Sequence, residues 1–287
     1  LNYVSAVHAL DGPEGPGTWW PADLHLIGKD IVTTHCVYWP TMLQAAGLPL
    51  PERIAAHGWW LVDEQKMSKS RGNVIPPLEL AERYGVDAFR YFLMRDMTLG
   101  QDRSFSEVEL VQRYNSDLAN GLGNGLNRVT RMVGRYREGL LPAPGVVEGP
   151  ETTLRSAAEA APGRVRKAVE GLSINDALET AMGLVREVNR YLEVREPWQL
   201  AKQPEAAALL DTVLYHGAEA LRIAGLLLAP VMPRRTTDLL IQLGAAEPET
   251  DTDYDELTRW GGLIAGRPLP GGEGLFPRAE LPEELRE

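Results

Sequence analysis

Along residues 1–74 the apolar positions fall in short runs separated by glycine and proline. His25-Leu26-Ile27-Gly28 is an apolar run closed by glycine, and it predicts a buried strand. Thr33 to Ala46 predicts a helix, ended by Gly47 with Pro49 and Pro51 beyond. Arg53 to Val62 predicts a second strand. Strand, helix and strand over this length make a βαβ unit, right-handed if its strands are parallel. Beyond residue 74 the pattern turns helical. Pro76-Pro77 opens a helix running to Tyr84, Gly85 stops it, and Asp87 is placed to cap the next, to about Asp96. Ser106-Glu107-Val108-Glu109 reads as a capping box. Behind it Val108, Val111, Leu118, Leu122, Leu126, Val129 and Val133 recur at mostly helical spacing. Ser173-Ile174-Asn175-Asp176 starts another helix, with Leu178, Met182, Val185, Val188 and Leu192 on one face. Residues 205–229 predict a further one, broken by Pro230 and Pro233 before Leu239 and Leu240.

The expected organisation is α/β over residues 1–74, linker helices over 75–112, an all-α bundle over 113–245 and an extended tail over 246–287. The tail is rich in proline, glycine and acidic residues. Its Trp260-Gly261-Gly262 and Leu275-Phe276-Pro277-Arg278 carry enough apolar bulk to dock. The chain opens on Leu1-Asn2-Tyr3-Val4, with no methionine and no signal-peptide pattern, and reads as starting inside a domain.

Composition bounds the class. The 287 residues are 44% hydrophobic, enough to bury the cores of about two domains. No run of eighteen apolar residues exists, so no membrane span is expected. The single cysteine, Cys36, excludes an internal disulfide and a Cys-cluster zinc site, and a reducing, cytoplasmic setting fits. The net charge of −11 argues against a generic polyanion binder. The charge is uneven, however: −5 over 1–112, +1 over 113–245 and −7 over 246–287. The middle region is the one able to approach a polyanion, through local patches.

The sharpest motif is Lys66-Met67-Ser68-Lys69-Ser70, followed by Arg71-Gly72-Asn73-Val74. Two lysines three apart among small residues suit a loop that closes on a polyphosphate and neutralises charge developing there. Only five of the 29 basic residues are lysines, and two lie in this pentapeptide. A third, Lys29, follows Gly28. In open α/β sheets ligands sit at the C-terminal ends of strands, where both Gly28-Lys29-Asp30 and the pentapeptide are expected.

The order HLIGKD, a helix with Tyr38-Trp39-Pro40, His57-Gly58-Trp59, KMSKSRGN and then an α-bundle resembles the methionyl-tRNA synthetases, class I aminoacyl-tRNA synthetases. The resemblance covers nearly the whole chain, including the WGG and LFPR elements of the tail. It implies the second half of a Rossmann-like catalytic domain followed by an anticodon-binding bundle. The HIGH element and the zinc-bearing connective domain of the family are absent. His25-Leu26-Ile27-Gly28 is similar to HIGH, but a lysine stands where its second histidine would be. This implies an enzyme that activates methionine with ATP and passes it to initiator or elongator tRNA, in which this chain alone forms no adenylate. The missing N-terminal half of the catalytic domain would then be a partner, and the whole a monomer.

By that resemblance Lys66 and Lys69 contact the ATP phosphates, within a binding loop that includes Met67, Ser68 and Ser70. Gly28, Asp30 and His57 line the adenosine end of the cleft, and Tyr3 and His35 the methionine pocket. Asn124 and Arg128 hydrogen-bond an anticodon base, and Pro197-Trp198 supplies a stacking surface. Magnesium is implied by ATP, with no assignable ligand, and no zinc site is expected. The residues alone leave plainer roles open: Asp30 as a helix N-cap, His35 as a core histidine, Trp198 as a hydrophobic staple and an Arg131/Arg135 stripe as a solvated face. Two other functions also stay open. One is a class I synthetase for another amino acid. The other is a non-catalytic tRNA-binding paralogue.

Overall fold

A computed structural model of the chain describes residues 2–11, 19–62, 65–66, 75–246 and 252–285. The chain forms two compact units. One comprises Leu1–Val74 with Met97–Phe105, the other Ile75–Asp96 with Ser106–Glu287.

The first unit is α/β. Helix α1 (Asn2–Asp11) precedes strand β1 (Leu24–Gly28). A short 3-10 turn (Lys29–Ile31) and one π-helical stretch (Thr34–Tyr38) lead into α2 (Trp39–Ala45), and the chain returns as β2 (Arg53–His57). Strands β1 and β2 pair in parallel, with Gly28 opposite His57. A separate three-stranded sheet contains β3 (Trp60–Val62), flanked by antiparallel β4 (Gln65–Lys66) and parallel β5 (Arg103–Ser104).

The single strand expected over Arg53 to Val62 is therefore two strands in two sheets. The break falls at Gly58, where a Cβ would lie 2.0 Å from the Gln101 carbonyl oxygen. Only glycine permits that approach. The Asp102 carboxylate then accepts the Trp59 N–H at 2.9 Å, giving the broken ladder a partner. Strand β1 also departs from expectation. Its alternation buries His25 and Ile27 and leaves Leu26 60% exposed, so the imidazole faces inward and the leucine outward. Trp20, Trp39 and Leu43 form one buried cluster here.

The second unit is helical. It runs through α3 (Pro77–Tyr84), α4 (Val86–Asp96), α5 (Glu107–Arg113), α6 (Asn124–Arg137), α7 (Gly149–Glu170), α8 (Ile174–Arg195), α9 (Pro197–Leu200), α10 (Ala207–Leu228), α11 (Pro233–Gln242) and α12 (Tyr254–Leu257). Ser106 caps α5 by accepting the Glu109 N–H. A π-helical stretch, Tyr114–Gly123, joins α5 to α6 without a break. Asp87 does not cap α4. It lies inside that helix, buried, and accepts the Arg235 N–H at 2.7 Å, at the start of α11.

Helix α7 was not legible in the apolar spacing. It carries Pro162 in its interior, where proline removes a backbone hydrogen bond. Helix α10 is buried nearly throughout and packs against α6, α7, α8 and α11, as its all-round apolar character requires. Residues 252–285 lie along this unit and bury Leu263, Leu269, Leu275 and Phe276 in its core. They are anchored on two buried charges of α10. The Glu219 carboxylate accepts the N–H groups of Gly261, Gly262 and Leu263, each at 2.9 Å. The Arg222 guanidinium pairs with Glu219 and donates to the carbonyls of Leu257 and Arg259. Every polar atom of that buried pair thus meets a backbone partner or its mate, as burial demands. Among the described residues no helix is long and apolar enough to cross a membrane.

Candidate functional site

In the α/β unit the parallel register places Gly28 and His57 side by side at the C-terminal ends of β1 and β2. Asp30, in the turn that follows, folds back over the strand end. A Cβ on Gly28 would stand 2.5 Å from its Oδ1 and 3.7 Å from the His57 ring, so glycine is required for the carboxylate to sit there. Asp30 and His57 are both exposed. His57 donates from Nδ1 to the Gly58 carbonyl at 2.8 Å.

Tyr3 and His35 are in direct contact. The His35 Nδ1–H donates to the Ile31 carbonyl at 3.0 Å, and a hydrogen bond of 2.8 Å joins His35 Nε2 to the Tyr3 hydroxyl. Around this pair stand His25 and Trp39, with ring centroids 4.7 and 5.7 Å from Tyr3. The Trp39 indole N–H donates to His25 Nε2 at 3.2 Å. Burial, helped by the nearby His35, lowers the His25 pKa below its ordinary value. His25 and Trp39 were not singled out from the sequence. The signal was available in the period-two alternation of β1, which puts His25 on the same face as Ile27.

Lys29 is partly exposed and paired. Its ammonium pairs with Asp102 at 2.5 Å and lies 4.0 Å from the Trp59 ring centroid. Lys66 closes β4, in register with Leu61. Met67, Ser68, Lys69 and Ser70 lie outside the described residues.

In the helical unit Asn124 begins α6 and is exposed. Arg128, one turn on, pairs with Glu193 at 2.8 Å and places its guanidinium 5.6 Å from the Trp198 ring centroid. Trp198 is half-buried, and Pro197 before it is buried. Sequence spacing alone did not point to Glu193. Arg131 and Arg135 are exposed on the same helix. A cavity of about 710 Å³ in this unit is lined by Tyr84, Asp87, Tyr114, Arg235 and Phe276 among others, and by none of the expected anticodon residues.

The chain is similar to known proteins over most of its length. A family profile described as tRNA synthetases class I (M) matches residues 1–130. A methionine–tRNA ligase of Caldanaerobacter subterraneus is 42% identical over 99% of the chain, and one of Deinococcus radiodurans is 46% identical over 89%. The chain spans 44% and 37% of their respective lengths. Among solved structures, Mycobacterium tuberculosis methionyl-tRNA synthetase bound by methionyl-adenylate matches 96% of the chain with a TM-score of 0.88 at 39% identity. The chain covers 54% of that structure.

Proposed function

Because the chain belongs to the methionyl-tRNA synthetases yet spans less than half the length of the two ligases named, we propose that it carries part of a methionine-activating site together with an anticodon-reading surface. The observation that carries this is the parallel register of Gly28 with His57, the Asp30 carboxylate folded onto that strand end, and the Tyr3–His35 pair in the same unit. Strand ends of this kind receive nucleotides. Gly28, Asp30 and His57 hold the adenosine of ATP. The aromatic cluster of Tyr3, His25, His35 and Trp39 takes the methionine side chain, whose polarizable sulfur packs well against aromatic edges. Lys66 and Lys69 offset the negative charge that develops as pyrophosphate leaves.

Magnesium accompanies ATP, and it usually keeps several waters and one or two carboxylates besides the phosphates. In the helical unit the half-buried Trp198 supplies a flat surface for an unpaired base of methionine tRNA, initiator or elongator. Asn124 and Arg128 supply hydrogen bonds that discriminate its edge. A monomer in a cytoplasmic setting belongs to the same proposal.

Two measurements test it. In an enzyme completed to the length of its relatives, Lys69→Ala should depress methionine-dependent ATP–pyrophosphate exchange by roughly 3 kcal/mol of transition-state stabilisation and leave methionine affinity unchanged. Unchanged exchange with weakened methionine binding overturns the assignment. Trp198→Ala should weaken binding of methionine tRNA by about tenfold or more. Asn124→Ala should instead narrow the gap between cognate and anticodon-altered tRNAs. Equal charging and affinity for Trp198→Ala would leave Trp198 a packing residue.

A further inference from the structure

At the end of α8 that delivers Trp198 lies a buried charge cluster that neither methionine activation nor base contact uses. Glu151, in the first turn of α7, has no exposed surface. Its Oε1 accepts the Arg195 Nε–H and the Tyr191 hydroxyl, each at 2.7 Å, and its Oε2 accepts the Glu148 N–H at 3.0 Å and a second Arg195 N–H. Arg195 Nη2 also donates to Glu148 Oε2 at 3.0 Å. Tyr191 and Arg195 are one turn apart, so the last turn of α8 is fastened at two points to the first turn of α7.

The platform follows at once. Glu196, directly after Arg195, turns left-handed at φ 43°, and buried Pro197 then opens α9 with Trp198 as its second residue. A non-glycine residue in that region is strained and persists only where its surroundings over-determine it. A two-pronged guanidinium–carboxylate fork accepts essentially one geometry. Apolar side chains would pack α7 on α8 as well, at lower desolvation cost, but without fixing the rotation of the last turn of α8. Arg195 itself is 13% exposed in its side chain, too enclosed to be spread across an RNA backbone.

We propose that Glu151, acting through Arg195, is a positioning residue that sets the orientation of Trp198 for stacking on an RNA base, a role that rests on the platform function proposed for Trp198. The carboxylate and the indole are on different helices, and Arg195 with the turn at Glu196 and Pro197 is the connection between them.

The test is a double-mutant cycle on the whole chain, read as affinity for an RNA hairpin carrying the methionine anticodon stem and loop. Trp198→Ala should weaken binding by about tenfold or more. Glu151→Gln should weaken it by about three- to tenfold, because a displaced stacking surface loses part of the same contribution. In the Trp198→Ala background, Glu151→Gln should cost less than about twofold more, since its effect passes through the indole. Arg195→Lys keeps the cation and removes the fork. It should show the same non-additivity, and it serves where Glu151→Gln does not fold. If Glu151→Gln and Arg195→Lys lower the melting temperature but leave affinity unchanged, or weaken binding equally in both backgrounds, the cluster is structural only and the proposal is overturned. If Trp198→Ala leaves affinity unchanged, the platform role itself falls, and the proposal with it.

Discussion

Among the described residues of the α/β unit the buried apolar side chains are Trp20, Ile27, Trp39 and Leu43, while Leu26, Val37, Tyr38 and Met42 are each more than half exposed. In the helical unit one continuous core runs from Ala88 and Tyr91 through the whole of α10 to Leu275 and Phe276. The candidate site residues follow this difference. In the α/β unit hydrogen bonds and ion pairs join groups of which some are exposed, as with Tyr3–His35 and Lys29–Asp102. In the helical unit the candidate residues stand on elements fixed by packing and by buried, fully partnered charges. A site of the first kind adjusts to its ligand at little cost, whereas one of the second kind presents a preset surface.

The largest expected effect comes from removing the tail. A chain ending at residue 245 loses four buried side chains, Leu263, Leu269, Leu275 and Phe276, and strips three N–H donors from the Glu219 carboxylate. At about 1.5–3 kcal/mol per buried side chain the loss rivals the whole stability of a domain. The helical unit should then lose cooperative unfolding by circular dichroism. A sharp melt at the original temperature would mean that the tail merely rests on the bundle.

Glu219→Ala asks for less. It leaves the buried Arg222 without its carboxylate, and truncating one partner of such a pair costs about 3–5 kcal/mol. The denaturation midpoint of the helical unit should fall, with hydrogen exchange in the α/β unit unaltered. Equal loss in both units would break the distinction drawn between them.

Acid should separate the units further. His25 in one and His216 in the other are buried, and burial lowers both pKa values below the ordinary 6.5. Each is neutral when folded and protonates more readily when unfolded, so each unit loses stability as pH falls below about 6.5. The groups around His25 are Tyr3, His35, Trp20 and Trp39; those around His216 are Tyr215, Trp260, Glu151, Arg155 and Glu219. Glu151 adds a second component in the helical unit alone. Burial opposes its ionisation, but hydrogen bonds from Arg195, Tyr191 and the backbone outweigh burial and bring its pKa from 4.5 down to about 2. A depressed carboxylate pKa stabilises the fold above the unfolded value and ceases to do so as pH falls through the folded one. The helical unit should therefore show a further stability loss between about pH 4.5 and 2, absent in Glu151→Gln. Identical acid profiles for wild type and variant would contradict this.

The smallest effect is expected for Tyr3→Phe. It removes one hydrogen bond to His35, worth about 0.5–1.5 kcal/mol, and leaves the aromatic packing in place. Methionine affinity should fall a few-fold, with no change in the melting of the helical unit. A larger loss, or one that spreads to that unit, would show the α/β site to be less independent than its sparse core suggests.

The sequence by itself determined the features that depend on near neighbours. The pentapeptide at Lys66, the Ser106 cap, the stop at Gly85 and the long apolar stripes of α6, α8 and α10 are each readable within a turn or two of chain, because local sterics and helical period set them. The family was legible for the same reason: its motifs are short and their order is linear. What only the tertiary structure decided involves groups far apart in sequence. Gly58 breaks a strand because the backbone of Gln101 crosses it, and Asp102 caps the break from the same distant segment. Asp87 serves the start of α11, 148 positions away, although its sequence neighbourhood suggested a cap for its own helix. His25 faces inward and Leu26 outward because sheet register, not hydropathy, chooses the face. Glu151 and Arg195 read separately as a charge at a helix start and a charge at a helix end. Their union, 44 positions apart, exists only once α7 lies against α8, since a buried ion pair is favourable only when its partner is already in place.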